Sequence, residues 1–220
     1  MTKKFKWQIA ANIFIFAATL IGFYLMYFRS EGLLQDKGIT AFKYFTVQSN
    51  VFGGAAAAVW LISAIWSKGK EVPRIVSLLK FTAAICLGLT FITVMVFLGP
   101  LYGYIAMLRK ANFFFHLIIP LAAMSEFVFL NRHEISLKNC LAATLPMFVY
   151  AACYLTNILV NGGTRHSLQY DWYSILRWGW GVGVCIFAVI CVVTFGIAAL
   201  LRKLNCILHK KYKNTVLQIQ

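Results

Sequence analysis

Six long apolar runs, separated by short polar segments, dominate this chain of 220 residues. Each run is close to or above the roughly 20 residues that a helix needs to cross a bilayer, and none alternates apolar with polar positions as barrel strands do. Backbone polar groups in a bilayer must be bonded internally, which the helix achieves. We therefore predict an all-α fold, a polytopic integral membrane protein built as one six-transmembrane-helix domain over residues 1–220. The predicted spans are about 7–28, 45–66, 75–98, 112–130, 139–160 and 175–201.

The composition agrees with this pattern, because 61% of the residues are hydrophobic and only 12% are charged. The net charge of +15 would suit a nucleic-acid partner, but the basic residues stand in clusters between the apolar runs. Such clusters are typical of membrane orientation, since cytoplasmic segments hold the excess of lysine and arginine. Placing both chain ends in the cytoplasm puts two thirds of the 21 basic residues on that side. We predict an N-in, C-in topology and no nucleic-acid partner.

The six cysteines do not form a metal-binding motif. Five of them fall inside apolar runs, and Cys206 follows the last run. None stands at a metal-ligand spacing from a histidine, so we predict reduced structural cysteines, no metal and no cofactor. The first run is too long for a signal peptide and is followed by no small-residue cleavage site, so we expect it to remain as the first helix.

Polar side chains inside membrane spans are costly, so they are the first place to look for function. Thr46 and Asn50 are four residues apart and share a face of the second helix with Gly53, Gly54 and Ala57. That narrow face can pack closely on a neighbouring helix. Because several helices bring polar groups to one depth, we predict a shared, outward-facing pocket. The remaining polar candidates at this depth are Ser49, His116, Asn157, Asp171, Trp172 and Tyr173.

Pro120 follows His116 by four residues in the predicted fourth helix. Proline has no N–H to bond the carbonyl group four residues earlier, so we expect the helix to bend beside His116. A bend there would open space and leave an acceptor for water or a ligand.

Each candidate also has an ordinary structural interpretation. Thr46 could cap the second helix, and His116 could be a core histidine that bridges two helices. Asn50 and Asn157 could serve as hydrogen-bonding contacts between helices. Asp171 could be a solvated loop carboxylate, or it could orient a histidine.

One acidic residue lies inside a predicted span. Glu126 is near the inner end of the fourth helix, and we expect it to reach the cytoplasmic interface or to pair with a nearby basic residue. Lys80 is counted with the inner-side basic residues that set the orientation.

Threonine and histidine together allow nucleophilic catalysis. A threonine hydroxyl needs a base to remove its proton, and histidine titrates close enough to neutrality to do so. If they face each other, Thr46 could attack an ester carbonyl, and His116 could activate the water that hydrolyses the acyl-enzyme. Asn50, or an N–H near the start of the second helix, could stabilise the oxyanion. The sequence has no G-x-S-x-G elbow, which excludes an ordinary soluble-lipase fold.

Two short motifs open the second and fourth helices, namely Lys43-Tyr44-Phe45-Thr46 with Ser49-Asn50, and Asn112-Phe113-Phe114-Phe115-His116 with Pro120. They resemble the motifs of the androgen-induced family, multispanning intramembrane threonine hydrolases that cleave fatty-acid esters of hydroxy fatty acids, and of its bacterial relatives. In that family the threonine and histidine of these motifs are the catalytic pair, so the resemblance implies those roles for Thr46 and His116. It also implies a lipid-ester substrate and a bacterial plasma membrane. The chain departs from the family at Ser174 and Ile175, where a Tyr-Pro-Phe motif would continue with Pro and Phe.

Two functions remain open at this point. The first is an intramembrane hydrolase, or an acyltransferase, that acts on lipid esters from the outer leaflet. The second is a non-enzymatic lipid-binding or small-molecule transport protein, although the chain has neither an inverted repeat nor a filter-like sequence. An enzyme needs the Thr46 hydroxyl within hydrogen-bond reach of His116, directly or through one water, whereas a binding protein does not. Membrane lipids are the expected partners in both cases.

Overall fold

The structure, a computed structural model, describes residues 2–29, 36–68, 70–162 and 169–217, and of residues 162 and 210–217 it describes the backbone alone. Over these ranges the chain is helical and has no strand. Six helices are long and apolar enough to cross a membrane, which confirms the predicted all-α, multi-pass fold. They are α1 (Lys3–Arg29), α2 (Phe45–Trp66), α3 (Arg74–Tyr102), α4 (Ala111–Leu130), α5 (Leu137–Asn161) and α6 (Trp180–Leu217).

Helices α1 to α4 form the most closely packed part of the bundle. Helix α1 packs on α2 and α4, α3 packs between α2 and α4, and α6 covers α3 and α4. The predicted narrow face of α2 is confirmed, because a Cβ atom added at Gly53 would lie 2.7 Å from Leu87 and one at Gly54 would lie 2.6 Å from Thr19. Large apolar side chains cover much of the outer surface, as lipid-facing positions require. Among the residues whose side chains the structure describes, the four largest completely buried side chains are Trp60, Tyr154, Phe81 and Phe115.

Different helix termini lie at the two ends of the bundle. Arg132, just after α4, donates to the hydroxyl of Thr2 over 2.7 Å, and Asn131 donates to Asn205 of α6 over 3.3 Å. The start of α1, the end of α4 and the later part of α6 therefore meet at one end, here called the Lys3 end. The opposite end, where α2 begins, is called the Thr46 end. The assignment of the Lys3 end to the cytoplasm stays a prediction.

Several helix boundaries differ from those predicted, most of all the end of α6, which continues to Leu217 instead of ending near residue 201. Helix α3 does not stop at Gly99-Pro100, because Pro100 lies in the first turn of a helical segment that ends at Gly103, whose φ is 86°. Helix α5 is interrupted at residues 143–144, since Pro146 cannot donate to the carbonyl four residues before it. Helix α6 begins at Trp180 rather than near residue 175, because Gly179 with a φ of 89° separates it from a short 3-10 helix, Ile175–Trp178.

Three of the spanning helices contain a π-helical segment near the Thr46 end. The segments are Thr93–Leu98 in α3, Phe114–Ile118 in α4 and Ile158–Gly162 at the end of α5. Pro120 follows the second segment closely, and this segment includes His116 itself. The predicted bend of the helix beside His116 stays a prediction. Such segments in α-helices are frequent at functional sites.

A buried ion pair lies nearer the Lys3 end. The Lys80 ammonium in α3 is 3.5 Å from the Glu126 carboxylate in α4, and both side chains are almost completely buried. Asn12 in α1 donates to the same carboxylate over 3.3 Å. The prediction that Glu126 pairs with a nearby base is confirmed. Lys80 is a buried partner in the bundle rather than an interfacial charge.

Candidate functional site

Thr46 is the second residue of α2, which has Tyr44 as its N-cap. The side chain of Thr46 is half-buried. Its hydroxyl makes no capping hydrogen bond, and among the described residues it has no hydrogen-bond partner at all. Thr46 therefore does not cap α2, and its hydroxyl is available for other chemistry.

The amide groups in the first turn of α2 are largely occupied. Phe45 donates its N–H to the hydroxyl oxygen of Tyr173 over 2.8 Å. Val47 and Gln48 both donate to the carbonyl of Tyr44. The N–H of Thr46 is the one first-turn amide without an acceptor among the described residues, and it lies beside the Thr46 hydroxyl.

Asn50 links α2 to α4 at the centre of the site. Its side chain is completely buried, and its amide nitrogen donates to the carbonyl of Thr46 over 2.8 Å and to that of Phe115 over 3.0 Å. One amide group thus holds the turn that contains Thr46 against the residue next to His116. Because both amide hydrogens are used, Asn50 has none left for an oxyanion in this arrangement. Within the described chain its buried Oδ1 has no donor.

Ser49 extends this network to α3. Its hydroxyl lies 3.0 Å from the Thr46 carbonyl and 3.0 Å from the hydroxyl of Thr90, which is also buried. The structure therefore brings three sequence-predicted residues, Thr46, Ser49 and Asn50, into one hydrogen-bonded network. Ser49 contributes to the packing of the network through its contact with Thr90, a residue that the sequence did not single out.

His116 is buried in the π-helix of α4, and a backbone carbonyl fixes its tautomer. Its Nδ1 lies 2.6 Å from the carbonyl oxygen of Met107, in the segment before α4. A carbonyl oxygen can only accept, so Nδ1 carries the hydrogen and the neutral ring has its lone pair on Nε2. No carboxylate stands at a diagnostic spacing from His116 in the sequence, and a backbone carbonyl takes this role instead.

Thr46 and His116 are not hydrogen-bonded to each other in the described structure. They belong to one cluster through Asn50, which contacts the backbone at Thr46 and at Phe115. Catalytic hydrogen bonds are often long or unformed in an unliganded protein and shorten once substrate binds. The predicted direct contact therefore stays a prediction.

Asp171 is a buried residue rather than a solvated loop carboxylate. Only 2% of it is exposed, and it accepts hydrogen bonds from the Tyr154 hydroxyl and from the backbone N–H groups of Ile175 and Leu176. It thereby caps the short 3-10 helix before α6 and joins it to α5. The expectation of a solvated carboxylate is wrong, because Tyr154 on another helix supplies a partner inside the bundle.

The neighbours of Asp171 attach the loop before α6 to the start of α2. Trp172 donates its indole N–H to the Tyr150 hydroxyl over 3.3 Å, and Tyr173 accepts from Phe45. Asn157 in α5 donates to the carbonyl of Tyr170 over 3.1 Å, so it too holds this loop. Trp172 and Tyr173 therefore lie around the start of α2, and Asn157 holds the loop that carries them. None of the three is hydrogen-bonded to the His116 ring in the described chain.

The phenols beside Thr46 are poor candidates for a general base. Burial, followed by the nearby Asp36 carboxylate, raises the pKa of Tyr44 to about 12. Removal of its hydroxyl group from water, followed by its contacts with Tyr150, raises the pKa of Tyr173 well above the usual range of tyrosine, although 38% of the residue as a whole is exposed. Both phenols hold their protons at neutral pH, which leaves His116 as the base candidate in this part of the site.

The outward-facing pocket predicted at the Thr46 end stays a prediction, because Asn50 and His116 are both buried there by packing. Among the described residues no three His, Cys, Asp or Glu side chains are placed to hold a metal ion.

A small cavity that the sequence did not predict lies at the Lys3 end, away from Thr46. It is lined by Phe5, Gln8, Glu71, Val72, Ser77, Arg132 and His133.

The fold defines the class of this protein as a multi-pass helical membrane protein. No protein family, curated protein or solved structure matches the chain. The function therefore has to be inferred from the residues of the site.

Proposed function

We propose that this protein is an intramembrane hydrolase of lipid fatty-acid esters, with Thr46 as nucleophile and His116 as general base. The observation that carries the proposal is the double hydrogen bond of Asn50, which holds the turn of Thr46 against the turn of His116. The fixed tautomer of His116 also supports it, because the lone pair of Nε2 is the one that a base requires. The resemblance of both motifs to the androgen-induced family points to the same pair.

In the acylation step, Nε2 of His116 takes the proton of the Thr46 hydroxyl while the Thr46 oxygen bonds to the ester carbonyl carbon. The imidazolium then gives that proton to the departing alcohol oxygen as the C–O bond breaks, which leaves an acyl-threonine. A water molecule next gives a proton to Nε2 and bonds through its oxygen to the acyl carbon. The Thr46 oxygen leaves with the returned proton, so the products are an alcohol and a fatty acid.

The oxyanion of each tetrahedral intermediate needs a hydrogen-bond donor. Asn50 donates both amide hydrogens to carbonyl groups, so the N–H of Thr46 is the better candidate. A nucleophile's own backbone N–H fills this role in serine proteases. Removing one such donor costs about 100- to 1,000-fold in kcat in a well-studied protease.

The depth of the site suits a lipid substrate. Thr46 stands at the first turn of a spanning helix, where an ester group of a membrane lipid can reach it while the acyl chains stay in the bilayer. We infer that the protein acts in the plasma membrane of a bacterial cell, from the outer leaflet, on membrane lipids. An acyltransferase would use the same acyl-threonine with an alcohol in place of water.

A non-enzymatic binding or transport protein is the second candidate, and one observation favours it. The Lys80–Glu126 pair is buried inside the spanning helices, where ionisable residues often mark the path of an ion or a substrate. The small cavity at the Lys3 end includes Ser77, one helical turn before Lys80. The two candidates differ in whether Thr46 reacts as a nucleophile.

Labelling of the detergent-purified protein with a fluorophosphonate probe tests the proposed function. The probe phosphonylates activated hydroxyl groups, so the wild-type protein should be labelled. The Thr46→Ala and His116→Ala variants should each lose labelling, because the first lacks the hydroxyl and the second lacks the base. In-gel fluorescence against time measures the result.

Thr194→Ala and His133→Ala are the matched controls, since the first removes a threonine of α6 and the second a histidine of the segment between α4 and α5, both away from Thr46. Both controls should label at the wild-type rate. Labelling that survives Thr46→Ala, or an unlabelled but folded wild-type protein, would contradict the hydrolase and favour the binding or transport protein.

A further inference from the structure

Two tyrosines hold the backbone immediately before Thr46. The Tyr173 oxygen accepts the N–H of Phe45 over 2.8 Å, and the Tyr150 hydroxyl donates to the carbonyl of Lys43 over 2.7 Å. The rings of Tyr150 and Tyr173 also contact each other edge to face, with their centroids 6.5 Å apart. The two phenols thus hold the N–H of Phe45 and the carbonyl of Lys43, and we call Tyr150 and Tyr173 the tyrosine clasp.

The clasp is anchored to α5 and to the loop before α6. Tyr150 belongs to α5 itself. The N–H of Tyr173 donates to the hydroxyl oxygen of Tyr154 over 3.3 Å, and that hydroxyl donates to Asp171. Since Tyr154 and Asp171 are both buried, the position of Tyr173 is set by a packed part of the bundle.

The start of α2 depends on this contact because its own N-cap cannot supply it. The first amide groups of a helix have no partner within the helix, and a Ser, Thr, Asp or Asn N-cap normally accepts from one of them. Tyr44 is the N-cap here and makes no side-chain cap hydrogen bond. Tyr173 therefore supplies, from a distant part of the chain, an acceptor for the N–H directly before Thr46.

We propose that Tyr173 is a positioning residue for Thr46, acting through Phe45, and that Tyr150 completes the clasp. This inference rests on the proposed function, because it gives a role to the orientation of the Thr46 hydroxyl. Nucleophiles must be held within about 0.5 Å of the productive geometry. Misplacement by about 1 Å can cost roughly 100-fold in rate. The clasp fixes the backbone from which both the hydroxyl and the N–H of Thr46 project.

The test is saturation kinetics of fluorophosphonate labelling with purified wild-type, Tyr173→Phe and Tyr150→Phe proteins. In Tyr173→Phe the maximal labelling rate should fall by about 10- to 100-fold, while the half-saturating probe concentration and the final labelled fraction stay unchanged. Tyr150→Phe should lower the maximal rate in the same direction. A purely structural role would lower the labelled fraction instead, because unfolded molecules would not react.

Tyr24→Phe is the matched control, since Tyr24 is an exposed tyrosine of α1 with no hydrogen bond in the described chain. It should keep the wild-type maximal rate. Equal maximal rates in Tyr173→Phe and the wild type would overturn the positioning role and leave the proposed function standing. A wild-type protein that does not label would overturn the proposed function and this inference with it.

Discussion

Lys80→Met alone is expected to lower the free energy of unfolding by about 3 to 5 kcal/mol, because it leaves the Glu126 carboxylate buried without its ionic partner. The remaining contact, a 3.3 Å hydrogen bond from Asn12, does not compensate a full negative charge. The measurement is equilibrium unfolding in mixed detergent micelles, followed by circular dichroism. We expect few other single substitutions in this chain to lower the free energy of unfolding by as much.

The double variant Lys80→Met/Glu126→Gln distinguishes an uncompensated charge from lost packing. Glutamine keeps an oxygen that can accept from Asn12 but carries no charge, so most of the lost stability should return. Lys203→Met, an exposed lysine of α6, is the control for the loss of one positive charge. A double variant as unstable as Lys80→Met would show that the charge of Glu126 is not the cause.

Gly54→Ala is expected to destabilise the protein by about 1 to 3 kcal/mol through overpacking between α1 and α2. The new Cβ would lie 2.6 Å from Cγ2 and 2.8 Å from Cβ of Thr19, so α1 would have to move. Thr19 cannot rotate away easily, because it is β-branched and its hydroxyl is bonded to the carbonyl of Ile15. The same unfolding measurement detects the loss.

Gly196→Ala is the matched control in α6, where an added Cβ meets nothing within 4 Å. Alanine is favoured over glycine inside a helix by about 1 kcal/mol, so this variant should be as stable as the wild type or more so. If Gly54→Ala and Gly196→Ala changed the stability equally, close packing of α1 on α2 would not be the reason for glycine at position 54.

The sequence predicted the number of spanning helices because long apolar runs are a strong signal. It was less successful at their interruptions. Pro146 was a visible signal for the break in α5, and Gly179 for the later start of α6. A prediction made from hydropathy alone detects neither residue's effect, because both stand in or beside apolar runs. Pro100 shows the opposite case, since a proline in the first turn of a helical segment does not end it.

The site was predictable where the relevant spacing lies within one helix. Thr46 and Asn50 share a face of α2 by the helical period, and the structure joins them by a hydrogen bond. Contacts between distant parts of the chain were not predictable. The burial of Asp171 depends on Tyr154, and the tautomer of His116 depends on the direction of one carbonyl at Met107.

Lys80 shows that the partner of a buried charge is equally unpredictable when it lies in a distant part of the chain. It lies six residues inside α3 and was counted with the interfacial bases, because sequence position alone suggests that a long side chain reaches the headgroups. Its partner Glu126 is 46 residues further along the chain, on a different helix. Only packing of α3 against α4 brings the two charges together.

The three π-helical segments change how residue numbers map onto helix faces. A π turn accommodates one residue more than an α turn, so side chains beyond it are rotated by about 100° from where an uninterrupted helix would place them. In α3, α4 and α5 this shift falls at the Thr46 end. A helical wheel drawn through α3 or α4 therefore assigns the wrong face to the short part beyond the segment, residues 99–102 or 111–113, and deleting one residue within the segment would restore the regular wheel.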